Sequence, residues 1–140
     1  MNNWLIWALL SALFAALTAI LAKVGVANIN PNLATAIRTT VILVFTWGIA
    51  WFTCSRTELS AIAPRAWFFL VASGLATGLS WLCYFRALKL GDVAKVAPVD
   101  KLSVAIAIIL AVTLLGEKIK LHEALGAGLI VIGVIVMVIK

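Results

Sequence analysis

Long runs of apolar residues alternate with short polar segments along almost the whole chain. An apolar helix of about 20 residues matches the roughly 30 Å hydrocarbon core of a bilayer at a rise of 1.5 Å per residue. Five runs are long enough, and each ends close to a Lys, Arg or Asp. The pattern predicts an all-α integral membrane protein, without strands, that forms a single domain over residues 1–140. The five transmembrane helices are predicted at residues 4–22, 33–53, 66–85, 93–115 and 121–139.

The composition indicates the same class of protein. Hydrophobic residues make up 65% of the chain and charged residues 11%, unlike the balance of a soluble protein. The net charge of +6 comes from basic residues placed singly or in pairs at helix ends, as is typical of membrane helices. We therefore expect the lipid bilayer of the cell inner membrane, and no nucleic acid, as the partner.

Nothing in the sequence supports catalysis. Cys54 and Cys83 lack the spacing of a metal site, and His122 is the single histidine, in a short loop among charges. The acidic residues are too scattered for paired general acid–base chemistry. We expect no enzyme activity, no metal and no cofactor, and we interpret both cysteines as small apolar packing residues.

Basic residues are almost evenly divided between the two sides of the predicted bundle. An excess of Lys and Arg normally marks the cytoplasmic side. With the N-terminus outside, five would be inner and four outer, and the free amino terminus adds to the outer side. The inner residues would be Lys23, Arg86, Lys89, Lys95 and Lys140, and the outer ones Arg56, Arg65, Lys118 and Lys120. Either the chain inserts both ways and pairs antiparallel, giving ten helices related by an in-plane pseudo-two-fold axis, or a weaker signal sets one orientation.

Arg38 lies about six residues into the second predicted helix, roughly 9 Å from its start. A charge at the centre of a spanning helix costs roughly 2.5–3.5 kcal/mol. One interpretation is an anchor whose guanidinium reaches the interface. The other is a group that binds an anion or carboxylate in a central cavity. We favour the second because Thr35, Thr39 and Thr46 add a polar stripe on or near the same face.

The fourth run contains two adjacent charges, Asp100 and Lys101, directly after Pro98 and Val99. Adjacent helical residues point about 100° apart, so we expect these two not to pair with each other. We expect Asp100 to pair with Arg38 on another helix. Pro98 is expected to kink or break the helix, a feature associated with transporter binding sites. Alternatively the helix begins after Pro98 and both charges lie in its first turn at the interface.

The third predicted helix carries an aromatic and hydroxyl face formed by Thr77, Ser80, Trp81 and Tyr84, which step by three, one and three residues. Such a face lines a pocket for an organic solute or holds two helices together, which is the commoner use of Ser and Thr in membranes. The same helix carries a GxxxG motif at residues 74–78, which predicts close helix packing.

The second half of the chain resembles the EamA repeat of the drug/metabolite transporter superfamily. The resemblance rests on an aromatic-rich helix followed by a characteristic turn, then a proline, a Gly-Glu pair and a glycine-rich last helix. These are Ala87-Leu88-Lys89-Leu90-Gly91, Pro98, Gly116-Glu117, and Gly126, Gly128 and Gly133. The first half is compatible with the same repeat. Most members of this superfamily are similar to two fused repeats, the second inverted, and export amino acids, other metabolites or drugs.

The resemblance implies one EamA-like repeat, and therefore half of a ten-helix antiparallel homodimer. It implies a substrate site between helices, for which we expect Arg38, Trp81, Tyr84, Asp100 and Lys101. The hypothesis is an exporter of a small organic metabolite, such as an amino acid, that works by alternating access. Any proton coupling would pass through Asp100. The alternative is a non-transporting membrane subunit that packs beside a larger partner.

Overall fold

The computed structural model describes residues 3–139, which form seven helices and no strand. Five segments are long and apolar enough to cross a membrane: α1, α2, α4, α5 together with α6, and α7. The predicted all-α membrane class with five spans is confirmed. The bounds are α1 (Asn3–Val26), α2 (Pro31–Thr53), α3 (Arg56–Ser60), α4 (Pro64–Leu90), α5 (Val93–Asp100), α6 (Leu102–Leu115) and α7 (Leu121–Val138).

The helix ends follow from local chemistry. At the start of α2, the Asn30 side chain accepts a hydrogen bond from the Asn32 N–H at 2.9 Å, and Pro31 occupies the first turn. At the end of α6, Gly116 adopts a left-handed conformation with φ 68°, which suits glycine. The following Glu117 N–H then reaches the Ala111 carbonyl at 3.2 Å. The end of α6 lies at the predicted residue 115, whereas α2 begins two residues before its predicted start at residue 33.

The fourth span is broken, as predicted from Pro98. Helix α5 runs through Pro98 to Asp100, so the alternative in which the helix begins after Pro98 is wrong. At Lys101 the N–H donates to the Pro98 carbonyl, three residues back, at 2.9 Å, and α6 starts at Leu102. Pro98 cannot donate a hydrogen bond to the preceding turn, which weakens the helix at this point.

The described chain divides into two compact units. The first contains the residues up to Ala19 and from Gly91 onward, and the second contains Ile20–Leu90. In the first unit, α5 and α6 pack against α7. In the second unit, α2 packs against α4.

One end of the second unit is tightly packed. Val26, at the end of α1, and Leu88, near the end of α4, are fully buried, and Phe85 is 3% exposed. Two lysine side chains form hydrogen bonds to backbone carbonyls of other chain segments at this end. The Lys23 ammonium donates to the Leu88 carbonyl at 2.7 Å, and the Lys89 ammonium donates to the Ile29 carbonyl at 2.8 Å.

We refer to these two hydrogen bonds as the lysine clamp. The last four carbonyls of a helix have no partner within the helix and lie at the negative end of its dipole. Leu88 provides one of these carbonyls in α4. The Lys23 ammonium therefore gives this carbonyl a hydrogen-bond partner and places a positive charge at the negative end of the helix dipole. The clamp therefore fastens the α1–α2 connection to the end of α4.

We expect Lys23→Met to lower the free energy of unfolding by about 1.5–3 kcal/mol, because the Leu88 carbonyl loses a charged donor. Methionine keeps an unbranched apolar stem. Thermal or denaturant unfolding in detergent micelles measures the change. Lys118→Met, at an exposed position between α6 and α7, is the matched control. An equal loss in both variants would show that a reduced net charge, and not the clamp, sets the effect.

Several small residues that were expected to pack lie on open faces. A Cβ built at Gly74 or Gly78 would meet no atom of its own unit within 4 Å. The GxxxG motif therefore makes no close helix contact within this unit, contrary to the prediction. Cys54 and Cys83 are exposed free thiols, so their expected role as interior packing residues is also wrong for the single chain.

Candidate functional site

The candidate site is built around Arg38, on the face of α2 that meets α4. Arg38 lies seven residues beyond Pro31, or roughly 10 Å along the helix, and its side chain is half-buried. The guanidinium carbon lies 4.4 Å from the centroid of the Trp81 ring and 5.4 Å from that of Phe85. Trp81 and Phe85 are four residues apart on α4, so both rings project from the same side of that helix.

The Trp81 and Phe85 rings stabilise the Arg38 guanidinium without occupying its hydrogen-bond donors. A guanidinium over an aromatic face is stabilised by about 0.5–1 kcal/mol when exposed and by about 2 kcal/mol when desolvated. Arginine has five N–H donors in one plane. Arg38 donates no hydrogen bond to a described residue of its own unit, so this planar fork remains available to a ligand.

Arg38 also lacks a nearby counter-ion in its unit. The sequence from Ile20 to Leu90 contains six basic residues and a single acid, Glu58. Glu58 follows the far end of α2, and the helix from Arg38 to Thr53 alone spans roughly 22 Å. The unit thus places an uncompensated guanidinium, held on two rings, inside a spanning segment. The partner of this charge is therefore either an anionic ligand or an acid outside the unit, such as the predicted Asp100.

Tyr84 belongs to the same cluster. Tyr84 and Trp81 are both half-buried, and Tyr84 lies near Arg38. The structure therefore brings together Arg38, Trp81 and Tyr84 of the predicted site. The remaining members of the predicted α4 face, Thr77 and Ser80, are exposed.

Phe85 was missed by the sequence reasoning. The sequence feature that could have identified Phe85 is its position four residues after Trp81, which places both residues on the same helical face.

The threonines near Arg38 are satisfied within their own helix. The hydroxyls of Thr35, Thr39 and Thr46 donate to carbonyls four residues earlier at 2.9, 2.8 and 2.8 Å. Such back-bonding is a common way for threonine to be accommodated inside a helix. The polar stripe therefore retains acceptor capacity, while its hydroxyl protons are already engaged.

Asp100 and Lys101 lie in the other unit, and their arrangement corrects one prediction. Their side chains form an ion pair, with 3.3 Å between Lys101 Nζ and Asp100 Oδ2. The expectation that adjacent charges would not pair considered only the directions in which the two side chains leave the helix, whereas the long, flexible lysine side chain reaches back to the carboxylate. The Asp100–Arg38 pair stays a prediction.

We expect Asp100→Asn to lower the free energy of unfolding by about 1–3 kcal/mol, because it leaves the Lys101 charge without its ion-pair partner inside a spanning segment. If Asp100 couples transport to protons, the variant will still exchange solute but will no longer respond to a pH gradient. Exchange and gradient-driven flux in proteoliposomes, beside thermal unfolding, measure both effects. An unchanged free energy of unfolding would contradict this role of the ion pair.

Comparison with known proteins identifies the class of protein. The chain matches the EamA-like transporter family over residues 2–139 and belongs to that family. It is thus a multi-pass membrane protein of a family of transporters, not of enzymes. The five apolar spans agree with this assignment.

Two bacterial relatives carry transporter names. An uncharacterized transporter in the cobO 3′ region of Sinorhizobium sp. is 54% identical over 138 residues, covering 99% of this chain and 98% of the relative. The uncharacterized transporter YxxF of Bacillus subtilis (strain 168) is 26% identical over 141 residues, and this chain spans only 44% of its length. No solved structure matches the chain.

Proposed function

We propose that the protein exports a small organic metabolite with a carboxylate group, such as an amino acid, across the cell inner membrane. Transport proceeds by alternating access in an antiparallel homodimer. The observation that carries this proposal is the half-buried Arg38, which rests on Trp81 and Phe85 and has no acid near it in its own unit.

The site favours a carboxylate for geometric reasons. The planar guanidinium fork matches two carboxylate oxygens and binds them through paired, charge-assisted hydrogen bonds. Trp81 and Tyr84 supply apolar and aromatic surface beside the fork, suited to the side chain of a solute. An amino acid combines both features.

Three observations support the homodimer. The near balance of basic residues permits insertion in both orientations. The chain corresponds to 44% of the B. subtilis relative, as expected where one longer chain does the work of two short ones. Gly74 and Gly78 leave the face of α4 open to another helix.

Release of amino acids from proteoliposomes tests the proposed function. Vesicles containing only the purified chain are loaded with an equimolar mixture of the standard amino acids, and mass spectrometry follows each one in the external medium. We expect faster release of one or a few amino acids than from protein-free vesicles. Equal release of all amino acids from both preparations would contradict the proposal.

The alternative is a membrane subunit that does not transport by itself. It predicts that the chain co-purifies with a different membrane protein, and that substitutions at Arg38 and Asp100 change stability alone. The uncompensated charge of Arg38 argues against it, because a purely structural helix avoids a charge that costs roughly 2.5–3.5 kcal/mol at its centre.

A further inference from the structure

A cavity lies at the far end of α2, away from Arg38. Its volume is about 600 Å³, and its walls come from the last turns of α2, from α3 and from the loop that follows. The walls are mostly apolar and contain one acid. The lining residues used below are Trp47, Trp51, Cys54, Glu58 and Ile62.

The charge of this cavity differs from the charge of its surroundings. Glu58 is the single acid between Ile20 and Leu90, where six basic residues occur. One of its oxygens, Oε2, accepts the Ser55 N–H at 2.9 Å and so caps α3. The carboxylate has further acceptor capacity, so the cavity favours a cationic group that donates hydrogen bonds.

The aromatic residues indicate what kind of cation. Trp47 and Trp51 are four residues apart on α2, and both line the cavity. Indole faces attract alkylammonium groups, and a carboxylate beside them adds a charge-assisted hydrogen bond. Metal ions prefer several oxygen ligands, whereas this cavity offers one carboxylate among mostly apolar walls.

We propose that this cavity binds the ammonium head group of a zwitterionic phospholipid such as phosphatidylethanolamine. The cavity lies where α2 ends, at Thr53, and Trp side chains at the ends of a span favour the head-group region of the bilayer.

The lipid site is separate from the proposed transport function. Arg38 lies roughly 22 Å from the end of α2 along the helix axis. Lipid binding needs no transported solute, so the lipid site can fail or hold independently of the transport proposal.

Native mass spectrometry of the full-length chain in detergent tests the proposal. The probes are short-chain phosphatidylethanolamine, phosphatidylglycerol with the same acyl chains, and free ethanolamine. The variant is Glu58→Gln. The matched control is Glu123→Gln, because Glu123 caps α7 in the same way, with Oε2 2.7 Å from the Lys120 N–H, but does not line the cavity. Both substitutions remove one charge and leave a capping side chain.

We expect the wild type and Glu123→Gln to retain phosphatidylethanolamine about tenfold more strongly than Glu58→Gln does, a ratio typical of one lost charge-assisted hydrogen bond. The lipid should also slow maleimide labelling of Cys54 in the cavity but not of Cys83 on α4. Equal retention of phosphatidylethanolamine in all three proteins would overturn the proposal. Equal binding of phosphatidylglycerol, or binding of free ethanolamine as strong as that of the lipid, would overturn the assignment to this head group.

Discussion

Arg38→Gln is expected to reduce the transport efficiency for a carboxylate solute by about 100-fold. A bidentate contact with the guanidinium provides two charge-assisted hydrogen bonds, and losing them removes about 3 kcal/mol of binding. The transport efficiency of Arg38→Lys should lie between those of Arg38→Gln and the wild type, because lysine keeps the charge but not the planar fork. Initial rates of counterflow in proteoliposomes, over a range of solute concentrations, provide the measurement.

Loss of folding does not explain such a result. Removing a charge from a spanning segment eases membrane insertion instead of opposing it. Arg65→Gln is the matched control, because Arg65 also lies over an aromatic ring, 5.9 Å from the Phe69 centroid, but at the start of α4. If Arg38→Gln and Arg65→Gln both transported at the wild-type rate, Arg38 would be an anchor and not a ligand.

The second large effect concerns the orientation of the chain in the membrane. Lys118→Gln with Lys120→Gln leaves five inner basic residues against two outer ones and favours an outside N-terminus. Arg86→Gln with Lys95→Gln leaves three inner against four outer and favours the reverse. We expect each double variant alone to lose at least about 90% of its transport, because a single orientation lacks its antiparallel partner. Co-expression of the two double variants should restore transport.

The control for this experiment is a reporter fused to the C-terminus that is active on one side of the membrane only. The wild type should give activity with reporters for both sides, and each double variant with one. A double variant that inserts in one orientation and still transports like the wild type would contradict the antiparallel dimer. A parallel assembly or a separate partner chain would then be required.

The sequence predicted the five spans well because they depend on local chemistry, although it ended the first and third predicted helices four and five residues too early. Apolar run length determines which segments cross the bilayer. Asn30 and Gly116 mark helix ends through hydrogen bonds and a left-handed φ that involve only neighbouring residues. The break after Pro98 also follows from a single missing N–H.

Features that depend on contacts between distant residues were harder to predict. Arg38, Trp81 and Tyr84 were each identified as candidates, but their meeting across α2 and α4 and the part played by Phe85 depend on the packing of these helices. The lysine clamp joins residues 65 and 60 positions apart, and no sequence pattern marks it. The Asp100–Lys101 pair was misjudged because the reach of the flexible lysine side chain was not considered.

The most direct test compares an amino acid with the amine that remains when its carboxylate is removed, for example phenylalanine with phenethylamine. The pair is chosen to match the amino acid that proteoliposomes of the wild type release. We expect transport of the amino acid, little transport of the amine, and no difference between the two solutes in Arg38→Gln. Equal transport of both solutes by the wild type, or no transport of any amino acid by the folded chain, would contradict carboxylate recognition by Arg38.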